Sequence, residues 1–223
     1  MKINKNDARF IRLLDLLTNC GWADMASDDM EAIANRANCD FFHGVTKGVF
    51  TCDDWDFVIK IPLYADEDAS MNYCEEEYQA YCSICKNYPL CAPLFAPVVF
   101  VGWYGEIPVY AQDKIFRDLC ECYWEKDTES WAENLRKETN QYISNRASSH
   151  ESREFYADYR TDVSASRLAS EFYYLILKTC GMAVCKSLRK WITETKQNDL
   201  HSANVGITKD FKPVIFDFSG WYD

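Results

Sequence analysis

Three side chains carry the chemistry most readily: Asp199 and Asn204 in "QNDLHSANVGI", and Asp217 in "VIFDFSGW". Asp199 and Asn204 bracket a short loop between a helical pattern and a strand pattern, and Asp217 follows the next strand pattern. If the two strands pair as a hairpin, Asn204 and Asp217 meet at one end of it. An amide oxygen and a carboxylate are hard ligands, suited to Mg2+ and a nucleotide phosphate. Asp199 is then left to orient or deprotonate a hydroxyl nucleophile. Taken singly, Asp199 and Asn204 also suit turns and caps, which both residue types favour. Asp217 fits that reading less well, because a carboxylate between Phe216 and Phe218 is costly unless paired. His201 reads as a structural residue bonded to the backbone behind the loop.

The elements that must position these groups change in character along the chain. "DARFIRLLDLLTNCGW" has Phe10, Leu13, Leu14 and Leu17 at helical spacing, with Asp7 as the N-cap. "ASDDMEAIANRAN" predicts a second short helix. "CDFFHGVTKGVFTCDDWDFVIKIPL" is rich in aromatic and β-branched residues, and it predicts strands near 39–45, 47–52 and 55–62. "DASMNYCEEEYQAYCSICKNYP" predicts a helix ending near Pro89. "APVVFVGWYGEIPVYAQDKI" predicts a hairpin turning at Tyr104-Gly105. "TESWAENLRKETNQYISNRA" and "SASRLASEFYYLILKTCGMAVCKSLRKWITETK" are helical, joined by the polar "SSHESRE". "NVGIT" and "KPVIFDF" close the sequence as two short strands around Lys209-Asp210. Five strands with one inserted helix, then helices, then a small hairpin make an α+β pattern of two unequal lobes.

The stretch "NDLHSANVGI…KPVIFDFSGW" resembles the catalytic loop and metal-binding motif of the protein-kinase-like superfamily. Its D-L-H-x-x-N form is closer to aminoglycoside phosphotransferases and small bacterial or phage kinase-like proteins than to eukaryotic protein kinases. The resemblance implies a bilobal fold, with Asp199 as catalytic base, Asn204 as a metal ligand and Asp217 as the main Mg2+ ligand. It extends upstream: "DFVIKIP" resembles the third strand of the family's first lobe, which would set Lys60 on the α- and β-phosphates of ATP. An ammonium presented from a strand interior needs a counter-anion, and "EEEYQAY" supplies one. Glu77 is the preferred partner, one turn from Tyr81 on a face read as inward. Glu75 and Glu76 are its rivals, since a helix turns one of the three inward and leaves the other two on a solvated face. "HGVTKGVF" resembles a shortened glycine-rich phosphate loop through Gly44 and Gly48. "YAQDKI" sits where the family's hinge would be, so the backbone near Gln112, Asp113 and Lys114 would meet the adenine. The implied organisation is an N-terminal helical extension over 1–38, a first lobe over 39–116 and a reduced helical lobe over 117–223.

Composition sets limits on partners. The chain has 223 residues and a formal net charge of −11, so nucleic acid and anionic lipid are unexpected as bulk partners. No run of about eighteen apolar residues exists to span a membrane. Eleven cysteines without a secretory leader predict reduced thiols in the cytoplasm. Cys82 and Cys85 form one C-x-x-C without a second, which is weak as a zinc site. Two departures from the family stand out. Gln197 occupies the position of the family's His, and the sequence ends six residues after Asp217, before the usual protein-substrate platform. A complete ATP site without that platform is therefore expected. It would leave an apolar face for a protein partner or second copy. Three readings follow: a minimal phosphotransferase acting on a hydroxyl of a protein or small molecule, a nucleotide-binding pseudokinase, and an interaction module that kept the fold.

Overall fold

The computed structural model describes residues 3–21, 26–44, 46–63, 72–146, 170–196, 200 and 203–218. It is α+β, and the chain divides into two compact units: residues 1–83 with 96–114, and residues 84–95 with 115–223.

The first unit is built on a five-stranded antiparallel sheet. Its strands are β1 (Asp40–His43), β2 (Lys47–Thr51), β3 (Phe57–Pro62), β4 (Val98–Tyr104) and β5 (Ile107–Asp113), in the spatial order β1-β2-β3-β5-β4. Successive residues on a strand point to opposite faces, and this chain gives the two faces different characters. Phe50, Phe57, Ile59, Ile61, Ile107, Val109 and Ala111 share one apolar core with two helices, α1 (Ala8–Thr18) and α2 (Ser27–Ala37). Those helices supply Phe10, Leu13, Leu14 and Leu17, and Met30, Ile33, Ala34 and Ala37. The two helices that fall within the expected N-terminal helical extension, α1 and α2, thus pack into the core of the sheet. The residues between, Lys47, Lys60, Tyr110 and Gln112, face the other side, where they meet the first turns of α3 (Tyr73–Asn87). Cover on both faces explains why β3 and β5 are buried almost throughout instead of alternating.

Asp7 caps α1 as its type and position predict, accepting hydrogen bonds from the amides of Arg9 and Phe10. The Arg9 guanidinium reaches Asp7 at 3.0 Å and Asp54 at 2.8 Å, tying the start of α1 to the β2–β3 turn.

The second unit has a three-stranded antiparallel sheet in the order β6-β7-β8: Arg117–Asp118, Val205–Ile207 and Pro213–Ile215. Its described α-helices are α4 (Glu129–Arg146), α5 (Ser170–Cys180) and α6 (Met182–Thr195). The last two read as one continuous helix in the sequence; Gly181, at φ +85°, separates them. The two-residue β6 carries too short a pattern to be predicted. Residues 147–169, including "SSHESRE", lie outside the described residues. Gly206 has a steric reason. A Cβ there would stand 2.3 Å from the Arg117 carbonyl oxygen, so only glycine lets β7 and β6 approach this closely.

Two outcomes test this account. Gly206→Ala should cost about 1–3 kcal/mol in urea unfolding by forcing β6 off β7. Asp7 provides a pH test. The Arg9 guanidinium holds its carboxyl well below the usual carboxylate range. A depressed folded value gives stability that is present above the unfolded pKa of about 4 and is lost as pH falls below it. Asp7→Asn keeps a capping oxygen but loses the charge. Its stability, measured by urea unfolding from pH 6 to pH 2, should therefore fall less steeply below pH 4 than that of the parent.

Candidate active site

The first unit holds a buried ionic cluster on the α3 face of its sheet. Lys60 Nζ donates to both carboxylate oxygens of Glu77, at 3.0 and 2.9 Å. Lys47 Nζ reaches Glu77 Oε2 at 3.4 Å, and Gln112 Nε2 donates to Oε1 at 3.1 Å. The Glu77 side chain has 0% exposure, against 8% for Lys47 and 6% for Lys60. Removing charges from water costs several kcal/mol per ion unless geometry and hydrogen bonds compensate. This carboxylate accepts from three donors on three strands, which is the compensation.

The register explains the convergence. Lys60 pairs with Val49, and Lys47 lies two residues before Val49 on β2, so both lysines project from the same face as diagonal neighbours. Gln112 is opposite Val58 on the far side of β3. Asn72 immediately precedes helix α3, and its side chain accepts from the Glu75 amide at 3.0 Å and so acts as its cap. That start turns Cys74 and Glu77 inward together.

The three glutamates occupy three different environments. Glu77 is the Lys60 partner. Glu75 accepts the Tyr110 hydroxyl at 2.5 Å. Burial, and then that hydrogen bond, raise the pKa of Tyr110. Glu76 has one carboxylate oxygen buried without a hydrogen-bond partner. Burial pushes its carboxyl up, opposed by the charge of Lys47. The expectation that two of the three form a solvated helix face is therefore corrected: both are half-buried, Glu75 against the Tyr110 hydroxyl. Tyr81, expected to face inward, is half-buried too.

Gly48, Gln112 and Asp113 lie in strands of the sheet, Gly44 follows β1 and Lys114 follows β5. Gly48 is paired to His43 on β1 and to Ile61 on β3. A Cβ at Gly48 would come within 2.9 Å of the Phe41 ring and 3.1 Å of Leu63, so packing gives a local reason for glycine. The Gly44 amide donates to the Lys47 carbonyl at 3.0 Å and closes the β1–β2 turn. Gln112 is central in the sheet. The amides of Asp113 and Lys114 donate to the carbonyls of Pro97 and Asp56, at 3.1 and 2.9 Å. Neither amide is offered to an adenine in this arrangement.

In the second unit the β7–β8 hairpin brings Asn204 and Asp217 to one end. The Asn204 carbonyl accepts the amides of Phe216 at 3.1 Å and Asp217 at 3.4 Å. Phe218, fully buried, packs edge-on against Phe95 with ring centroids 5.1 Å apart, and Phe95 packs likewise on Trp191 at 4.9 Å. That anchor fixes the residue next to Asp217. Asp199 and His201 lie outside the described residues; Leu200 between them is buried. Among the described residues no group of three or more His, Cys, Asp or Glu converges as a metal site. Asn204 and Asp217 carry an amide oxygen and a carboxylate, the hard-oxygen ligand types that Mg2+ takes. Cys82 and Cys85 are exposed free thiols on α3. No described helix is long and apolar enough to cross a membrane.

Sequence reasoning missed Lys47 and the Gln112 side chain. Lys47 lies in the strand expected over 47–52 and in the glycine-rich "HGVTKGVF", and no role falls to its side chain in either. Its signal was two-residue periodicity with Val49, visible only once the register with Lys60 is known. No protein-family model, curated protein or solved structure matches the chain.

The cluster predicts an order of stability losses. Glu77→Gln leaves two buried ammonium groups facing a neutral amide and should cost about 3–5 kcal/mol in urea unfolding. Lys60→Met should cost less, because Lys47 and Gln112 still hold the carboxylate. Equal losses would mean that Lys47 contributes nothing to the cluster.

Proposed function

We propose that the chain is an ATP- and Mg2+-dependent phosphotransferase of protein-kinase-like fold, passing a γ-phosphoryl group to a hydroxyl of a protein or small molecule. The observation that carries this reading is the Lys60–Glu77 pair at 2.9 Å, formed between the third strand of a β1-β2-β3-β5-β4 sheet and the helix that follows it. A lysine fixed this way by a buried carboxylate keeps its ammonium in one place for an anion. Asn204 and Asp217, at one end of a short hairpin, support the metal-binding half of the reading.

In this reading Lys60, positioned by Glu77, neutralises the α- and β-phosphates. Asn204 and Asp217 would hold Mg2+, which would supply charge stabilisation for the transferring group. Asp199, assigned by its place in "NDLHSAN", orients the acceptor hydroxyl and takes its proton. Most of the acceleration comes from positioning and charge stabilisation, as phosphoryl transfer requires.

A nucleotide-binding module without transfer is the second reading. It shares the same ATP-binding residues and lacks only the transfer step; the amides of Asp113 and Lys114, committed to Pro97 and Asp56, would supply the adenine contacts in neither reading.

Calorimetric titration of ATP with and without Mg2+ tests both. Binding should require Mg2+ and disappear in Asp217→Asn. Asp199→Asn should bind ATP with parental affinity and lose labelled γ-phosphate transfer by at least about a hundred-fold. Binding without transfer in the parent leaves the module reading. No binding at millimolar ATP overturns both.

A further inference from the structure

Cys39 and Cys52 stand opposite one another just past the end of the β1–β2 ladder, one step beyond the Asp40–Thr51 pair. Their sulfurs are 3.4 Å apart, with the Cys52 thiol donating to Cys39 Sγ. Directly opposed residues on antiparallel strands hold their Cα atoms about 4.5–5.5 Å apart, inside the range a disulfide spans. A sulfur–sulfur bond of about 2.05 Å needs the two atoms to close by little more than 1 Å.

The backbone at both residues is fixed. The Cys39 amide donates to the Ala34 carbonyl at 3.0 Å, ending α2. The Cys52 carbonyl accepts the Trp55 amide at 3.1 Å and Lys114 Nζ at 2.8 Å. A polar cavity of about 340 Å³ opens at the pair, lined by both cysteines with Arg9, Asn35, Asp40 and Asp53 among its other walls. Cys39 is half-buried and Cys52 is buried, so a reagent in the cavity meets Cys39 first.

We propose that Cys39 and Cys52 form a reversible dithiol–disulfide site, closed by exchange with a small-molecule disulfide of the glutathione type that enters through this cavity. Cys39 gives up its proton and its sulfur attacks one sulfur of the oxidant, releasing one reduced thiol. Cys52 then loses its proton and attacks Cys39 Sγ of the mixed disulfide, releasing the second. Two electrons pass from the protein to the oxidant, and the two protons leave on the two released thiols. The bond closes a ring around the β1–β2 hairpin and fixes the register of the strand that carries Lys47. Burial pushes the Cys39 thiol up to about 12 and raises Cys52 as well, so both are protonated near neutrality and closure is slow.

The test equilibrates the intact protein for hours at pH 8 in mixtures of reduced and oxidised glutathione, with an acid quench. Trypsin cuts at Lys47, between the two cysteines, so a linked peptide pair reports the bond. The native protein should give the Cys39–Cys52 linkage, with an equilibrium constant at least about a hundred-fold above that of the chain in guanidinium. The melting temperature should rise by about 5 °C. Cys52→Ser should stop at a glutathione adduct on Cys39. Equal linkage in the native and denatured chains, or separate adducts on Cys39 and Cys52 in the native parent, would overturn the proposal. So would a Cys52→Ser protein whose Cys39 stays unmodified.

Discussion

A carboxylate with no solvent exposure governs the first unit. A carboxylate in such a place needs compensating partners, and Lys60, Lys47 and Gln112 supply them from three strands to a residue of a helix. Sliding any strand by one position would turn its donor to the opposite face, leaving a buried charge short of a partner. The ionic cluster therefore specifies register, while its net contribution to stability is modest, because desolvation offsets much of the Coulombic gain. The stabilising free energy comes from the other face. There Phe50, Phe57, Ile59 and Ile61 lose their water against the apolar stripes of α1 and α2.

Strand periodicity thus separates two tasks within one sheet. On β3, Phe57, Ile59 and Ile61 build the core, and Lys60 between them is presented to α3. On β5, Val109 and Ala111 build the core, and Tyr110 and Gln112 carry hydroxyl and amide groups to Glu75 and Glu77. A polar group backed by a rigid apolar layer would need little reorganisation on meeting an anion, the condition that the proposed phosphate positioning requires. The β7–β8 hairpin follows the same pattern on a smaller scale. Its apolar residues and Phe218 are buried, and Asn204 and Asp217 are held at its end by backbone hydrogen bonds.

The N-terminal helices connect with this design through polar contacts at their ends. Asp7 caps α1 and pairs with Arg9, and Arg9 continues to Asp54 in the β2–β3 turn. At the other end of the pair, α2 stops at Asn38 in a left-handed conformation, and the chain enters β1 through Cys39. The cysteine pair thus sits where helix, hairpin and turn meet. A bond there would act on the hairpin as a whole rather than on one side chain.

The sequence by itself determined the elements whose patterns are long and locally consistent. The spacing of Phe10, Leu13, Leu14 and Leu17 wrote α1, and the aromatic and β-branched runs wrote the five strands. Turn residues and caps set most boundaries, because they act over four or five positions. The juxtaposition of Asn204 and Asp217 was also legible, since a short hairpin makes neighbours of residues close in sequence. Only the tertiary structure decided what depends on register and on faces. It turned Glu77 inward, gave Glu75 to Tyr110, and made Lys47 and the Gln112 side chain members of the cluster. It also took the Asp113 and Lys114 amides into the sheet and set Cys39 against Cys52. Each of these joins residues about a dozen to sixty positions apart through strand pairing or helix docking, and no local pattern encodes which of several equivalent side chains will meet a partner that far along the chain.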